Sequence, residues 1–60
     1  MKVILELKKP ATGSGGDRYE GFLPTEQKPW TVYIPQSITR GEGGAIAKKV
    51  QLTVQVSEND

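Results

Sequence analysis

The side chains best able to do chemistry in this sequence are aromatic and basic, and they lie together in the middle of the chain. There are four aromatic residues: Tyr19, Phe22, Trp30 and Tyr33. Three basic residues lie near them in sequence: Arg18, Lys28 and Arg40. Single-stranded nucleic acid is typically bound by β surfaces that offer aromatic rings for base stacking and Lys or Arg for the phosphates. The grouping therefore predicts a nucleic-acid-binding surface, with single strands favoured over duplex.

Alternation along the strands predicts which of these rings is exposed, because successive side chains of a strand point to opposite faces. Trp30 is in step with Val32 and Ile34, so we expect it in the core, whereas Tyr33 lies on the opposite face. Tyr19 and Phe22 differ by three positions, so only one of the two can point outward. The predicted nucleic-acid-binding residues are the candidate rings and the basic residues that accompany them: Arg18, Tyr19, Phe22, Lys28, Tyr33, Arg40 and Lys49.

The composition argues against catalysis, since the chain has no cysteine and no histidine. General acid–base catalysis most often uses His, and the usual nucleophiles are Cys or a Ser paired with His. The two glycine-rich loops, at 13–16 and 41–44, lack the Gly-Lys-Ser/Thr of a P-loop and the third glycine of a dinucleotide fingerprint. We therefore predict a non-enzymatic protein that holds no metal and no cofactor, and interpret both loops as connectors.

The sequence pattern predicts that the secondary-structure elements carrying these residues are β-strands. The most regular pattern is the last one, 49–57, in which four apolar residues alternate with polar ones: Val50, Leu52, Val54 and Val56. Earlier strands are predicted at 1–9, 18–23 and 30–34, and Gly21 inside the second indicates a bulge or the close approach of another backbone. Residues 45–48 could start the last strand or form a brief helical turn, and the strand is favoured. Ile4 interrupts the polar side of the first strand, which indicates a covered face or a contact between copies.

These elements predict an all-β fold, a four-stranded antiparallel meander or small open barrel. A single helical turn is expected near 35–40, because Pro35 suits the first helical position and Gly41 the residue just past the end. Residues 1–57 would form one small domain, and 58–60 a frayed acidic tail. No segment resembles a signal peptide or a membrane span, so we expect a soluble, cytoplasmic protein.

Length and charge bear on partners. A chain of 60 residues buries a marginal core and, without cysteine, has no disulfide to stabilise it, which favours self-association, most simply as a dimer. The net charge is +1, but the body without Glu58 and Asp60 carries eight positive and five negative groups, a net charge of +3. This is a modest bias toward anionic partners. The alternative hypothesis is a protein-interaction or assembly module whose exposed strand edge adds to a partner's sheet.

Two resemblances accompany these patterns. The stretch from Val32 to Arg40, a strand followed by Ile-Pro and a short turn ending in Arg, resembles an element of AbrB-type swapped-hairpin transcription factors. That resemblance implies a dimeric β protein that binds duplex DNA, with Arg40 as its one matching basic position. The chain departs from that family in two ways: the Ile-Pro pair comes late, after two strands, and the Gly-Asp turn expected before the closing strand is absent. The overall layout is also similar to short uncharacterised bacterial and phage β proteins, which implies no particular function.

Overall fold

The computed structural model describes residues 1–25 and 27–58 and contains four strands and two short helical turns. In chain order the elements are β1 (Lys2–Lys9), β2 (Gly16–Phe22), β3 (Pro29–Pro35), the helical turn α1 (Gln36–Thr39), a 3-10 turn (Glu42–Gly44) and β4 (Lys49–Thr53). The helical turn expected near 35–40 is confirmed, and it starts directly after Pro35. Of the predicted acidic tail, Asn59 and Asp60 lie outside the described residues.

All four strands form one open antiparallel sheet in the order β3-β2-β1-β4. This confirms the all-β prediction. The first three strands follow one another as a meander. The chain then crosses from β3 at one edge to β4 at the other, so β4 pairs with β1 and extends the sheet beyond the strand where the chain began.

The core lies on one face of this sheet, called here the inner face. Four apolar side chains are buried there: Val3, Leu5, Tyr19 and Ile34. Trp30, Val32, Val50 and Leu52 pack against them in partly buried positions. The alternation read from the sequence therefore assigns the inner residues of β1 and β3 correctly, including the largely covered position of Trp30.

The crossover segment 36–48 closes the end of the inner face that lies near the β1–β2 loop. The Tyr19 hydroxyl donates to the backbone oxygen of Ala47 at 2.6 Å, and the Leu7 amide donates to that of Lys48 at 2.9 Å. The Ala47 amide donates in turn to the Thr39 carbonyl at 2.8 Å. These bonds fix the route of the crossover over the sheet and satisfy backbone groups that the irregular segment would otherwise leave unpaired.

The last strand ends earlier than the sequence predicts, because the extent of its pairing partner determines where it stops. β4 ends at Thr53 rather than near residue 57, because its partner β1 begins at Lys2 and the Val54 amide makes a last bond to Met1. Val56, predicted to be inward, is exposed. Residues 45–48 do not start β4; within them only Ile46 makes an isolated bridge, to Arg40.

β2 starts two residues earlier than predicted, at Gly16, although Gly and Asp read as loop residues. Gly16 pairs with Pro35, and Asp17 pairs with Ile34. A Cβ on Gly16 would lie 2.9 Å from the Ile34 carbonyl oxygen, so the strand starts there because glycine lets the backbones approach.

Within the described residues, no helix is long and apolar enough to cross a membrane.

Candidate functional site

The outer face of the sheet, opposite the core, carries most of the residues predicted to bind. It consists of the alternate residues Lys2, Ile4, Glu6 and Lys8 of β1, Arg18, Glu20 and Phe22 of β2, Thr31 and Tyr33 of β3, and Lys49, Gln51 and Thr53 of β4. The register between the strands determines which of these residues lie side by side in a row across the sheet. Tyr33 lies directly opposite Arg18, and Arg18 lies opposite Lys9. Side chains directly opposite on one face are within contact range.

Two aromatic rings stand out from this face. Tyr33 is 65% exposed and Phe22 is 62% exposed. They lie on adjacent strands, and since Phe22 pairs with Pro29, four residues separate the two rings along the strand direction. At ~3.3 Å per residue and ~4.8 Å per strand, the backbone positions that carry the two rings are roughly 14 Å apart. They can therefore stack on two different bases of one strand but cannot sandwich a single base.

Tyr19 is the ring that the sequence left open, and the structure places it inside. Its side chain is fully buried, and its hydroxyl donates a hydrogen bond to the Ala47 carbonyl. Burial, followed by the negative charge of Asp17, raises the pKa of the Tyr19 phenol. The inclusion of Tyr19 among the candidate stacking residues is therefore wrong. A spacing of three residues requires one of the pair to point outward, and the structure shows that it is Phe22.

Arg40 is the second correction, because a partly buried ion pair with Asp17 occupies its guanidinium. Its Nη2 donates to Asp17 Oδ1 at 2.9 Å and to the Ala11 carbonyl at 2.9 Å, while its Nε lies 3.4 Å from Asp17 Oδ2. Asp17 itself is fully buried. These contacts hold the end of α1 to β2 and to the β1–β2 loop. Arg40 is therefore a structural residue rather than a free phosphate contact.

Asp17 is the centre of that network. It also accepts from Thr39 Oγ1 at 2.5 Å and from the Ala11 amide at 2.7 Å. The hydrogen bond from Arg40, followed by those from Thr39 and Ala11, holds the pKa of the Asp17 carboxyl well below its usual range. The same interaction raises the pKa of Arg40. A carboxylate kept ionised by three donors stabilises the fold and is unsuited to accept a proton near neutral pH.

The remaining predicted cations lie at the surface. The Arg18 side chain is partly exposed, with its Nε 3.6 Å from Glu20 Oε2. Lys49 is exposed and its Nζ lies 3.9 Å from Glu6 Oε1. Lys28 is exposed in the turn before β3. Both ion pairs are long, and the Lys49 pair is exposed while the Arg18 pair is partly exposed, so both pairs are weak and each cation can exchange its carboxylate for an incoming phosphate.

A β-bulge adds cations that alternation alone would not place together. The β1–β2 register shifts between Leu7 and Lys9. As a result, Lys8 lines a depression of the outer face with Ile4 and Phe22, while Lys9 lines the neighbouring one with Arg18 and Tyr33. Strict alternation would have turned Lys9 inward. The Lys8-Lys9 pair was visible in the sequence, but nothing local indicated that both would share a face.

The loop beside this row, residues 10–15, is fastened at both ends. The Gln36 side chain donates to the Gly13 carbonyl at 2.6 Å and to the Gly15 carbonyl at 2.9 Å. The Ala11 amide is held by Asp17. The loop thus has a defined position against Tyr33 despite its glycine content.

In the described part of the chain there is no group of three or more His, Cys, Asp or Glu that could hold a metal ion.

Comparison with known proteins adds nothing to this geometry. No protein-family model matches the chain, and comparisons with curated proteins and with solved structures give no significant match.

Proposed function

We propose that this protein works by binding rather than catalysis, and that its outer face binds single-stranded nucleic acid. Phe22 and Tyr33 stack on bases, while Arg18, Lys9 and Lys49 contact phosphates and Lys28 adds charge at the turn. The observation that carries this proposal is the exposure of both rings on one face, 62% and 65%, among cations held by weak ion pairs. Neither ring belongs to the core of the chain, so packing within the single chain does not account for them.

The charge of the outer face supports an anionic ligand of modest affinity. It carries five cations, Lys2, Lys8, Lys9, Arg18 and Lys49, against two carboxylates, Glu6 and Glu20. Each phosphate that such cations neutralise on a single strand contributes about −0.7 to the slope of log affinity against log salt. A site engaging roughly three phosphates would therefore have a slope of about −2. Binding should be measurable at low salt and markedly weaker at physiological salt.

A single strand fits this surface better than a duplex. Bases in a duplex are stacked on one another, and only an unpaired base offers its face to an aromatic ring. Duplex readers place a helix or a two-stranded ribbon in the major groove, and α1 has only four residues. Arg40, the one basic position implied by the AbrB resemblance, is engaged by Asp17. The duplex alternative therefore has less support from the geometry.

The test is fluorescence anisotropy of a labelled mixed-sequence single-stranded oligonucleotide at low and at physiological salt. Tyr33→Ala and Phe22→Ala should each weaken binding by about 1–3 kcal/mol, the contribution of one stacked base. Ile38→Ala is the matched control, because Ile38 is 71% exposed but lies on α1 rather than on the sheet. Absence of binding by the wild-type chain at low salt contradicts the proposal. So does an equal effect of all three substitutions.

A second candidate function is self-association or assembly through the same face. Ile4 is 55% exposed and forms an apolar strip with Phe22 and Pro29 in a depression of about 580 Å³, which is also lined by the charged residues Glu6, Lys8 and Glu20. This apolar strip would suit a second copy of the chain and would explain an apolar residue on the wet side of β1. Addition to the β3 edge is less favoured, since Pro29 and Pro35 at its ends have no N–H to donate.

Sedimentation equilibrium separates the two candidates. Ile4→Lys should dissociate an assembly held by the strip. The same substitution adds a cation to the outer face, so it should leave nucleic-acid binding intact or strengthen it. A dimer that dissociates in Ile4→Lys, together with no oligonucleotide binding, favours assembly. A monomeric wild type that binds the oligonucleotide favours the first proposal.

A further inference from the structure

We propose that Lys9, Arg18 and Tyr33 form a one-nucleotide site at the loop end of the outer face. In this site the base stacks on Tyr33 and the adjoining phosphate is held between Arg18 and Lys9. The inference rests on the proposed function and deepens it, because it states where the strand is anchored and by which chemical groups.

The register supplies the geometry of the site. Tyr33, Arg18 and Lys9 are consecutive partners across β3, β2 and β1. At ~4.8 Å between strands, the row spans roughly 10 Å from Tyr33 on β3 to Lys9 on β1, with Arg18 on β2 between them. All three residues line one depression of about 310 Å³, together with residues 10–14. A base on the ring at one end thus has two cations beside it on the same row.

Arg18 has an unused donor in this position. Within the described chain, its Nε is the buried side-chain polar atom without a hydrogen-bond partner, since Glu20 Oε2 is 3.6 Å away. Leaving a buried donor unpaired is costly, and since the side chain as a whole is 39% exposed, a guanidinium that turns toward a bound phosphate gains a charge-assisted bond. An Arg fork also matches the geometry of phosphate better than a point charge does.

No carboxylate lines the depression itself, and the one beside the site on the outer face is Glu20, whose Oε2 lies 3.6 Å from Arg18 Nε. The loop wall, residues 10–15, is Pro-Ala-Thr-Gly-Ser-Gly and has no carboxylate. The next acidic residue, Asp17, is buried against Arg40 on the inner face. A Cβ added at Gly13 or Gly15 would meet nothing within 4 Å, so the small loop residues leave the depression open to a ligand. Lys9 has no carboxylate within 4.0 Å among the described residues.

The site is tested with the full chain by NMR titration of backbone amides, using deoxyadenosine 5′-monophosphate and deoxyadenosine as paired probes. The nucleotide should shift the amides of 13–18 and Tyr33 and bind about tenfold more tightly than the nucleoside, which has no phosphate. Arg18→Gln and Lys9→Gln should remove most of that difference. Lys2→Gln is the control, since it removes one charge from the same face roughly 23 Å away along β1.

Equal binding of nucleotide and nucleoside overturns the site, and so does an equal effect of Arg18→Gln and Lys2→Gln. No amide shift up to about 10 mM nucleotide overturns it as well. Oligonucleotide binding separates this failure from that of the proposed function. The double variant of Lys9 and Arg18 should lower the salt slope by about 1.4, two phosphate contacts. Tyr33-dependent oligonucleotide binding with an unchanged slope refutes only this site, whereas no oligonucleotide binding by the wild type refutes both.

Discussion

Gly21 offers the sharpest test of the sheet on which both proposals depend. It faces inward near the C-terminal end of β2, opposite Trp30. A Cβ at this position would lie 2.8 Å from Leu5 Cδ2 and even closer to the Ile4 carbonyl oxygen. Leu5 is fully buried and cannot move into solvent, and the carbonyl belongs to the neighbouring strand. Gly21→Ala must therefore push β1 and β2 apart.

The magnitude follows from two opposing terms. Overpacking a well-packed site costs about 1–3 kcal/mol. Replacing glycine by alanine recovers at most about 0.4–1 kcal/mol by restricting the unfolded chain, and only where the native backbone tolerates the side chain. The expected net destabilisation is about 1–2 kcal/mol. In a domain of this size each 1 kcal/mol lowers Tm by roughly 4–8 °C, so Tm should fall by about 5–15 °C.

Gly13→Ala is the matched control. A Cβ there meets nothing within 4 Å, so the same chemical change should leave Tm within about 2 °C of the wild type or raise it slightly. Thermal unfolding followed by circular dichroism measures all three proteins. If Gly21→Ala and Gly13→Ala melt together, β1 does not approach β2 in this way. The rows that place Arg18 between Lys9 and Tyr33 would then be wrong too.

Three further predictions test the core and the buried network. The lowered pKa of Asp17 means that its stabilising effect is complete above the ordinary carboxyl pKa of about 3.9 and is lost as pH falls below it. Asp17→Asn should therefore lower Tm at pH 7 and flatten the decline of Tm between about pH 4 and pH 2. An acid profile of Tm that is the same as that of the wild type would contradict this. Tyr19→Phe removes the donor to the Ala47 carbonyl and should cost about 1 kcal/mol in urea unfolding, without affecting oligonucleotide binding. Leu5→Ala should cost about 2–5 kcal/mol and Ile4→Ala much less, because Leu5 is buried and Ile4 is half-exposed; similar losses would mean that the faces of β1 are misassigned.

The faces of the strands were readable from the sequence because alternation is a local property. Val3 and Leu5 alternate with Lys2 and Ile4, and Tyr33 falls on the face opposite Val32 and Ile34 as the period of two requires, whereas the choice between Tyr19 and Phe22 needed the structure. The close approach of another backbone at Gly21 was also predictable, since glycine within a strand signals missing space for a side chain. These features depend on neighbours in sequence and on the geometry of a single strand.

Features that depend on distant pairing were not readable. The Asp17–Arg40 ion pair joins residues 23 positions apart, and Asp17 sits in a stretch whose composition indicates a loop. The end of β4 is decided by where β1 begins, not by the apolar pattern of β4 itself. The bulge that turns Lys9 outward depends on how β1 and β2 meet. Each of these outcomes reflects tertiary contacts that override local propensity.

The neighbours Asp17 and Arg18 show how a small sheet can combine stability with a binding surface. Alternation turns Asp17 inward, where Arg40, Thr39 and the Ala11 amide hold it, and turns Arg18 outward into the row of Lys9 and Tyr33. The inward network fixes the loop that borders the outward row, and so lowers the conformational entropy lost when a ligand orders that edge of the site. The basic residues are therefore not interchangeable: Arg40 contributes through the rigidity of the site and Arg18 through its contact with the ligand. A net positive charge read from composition alone cannot make that distinction, because it counts both in the same way.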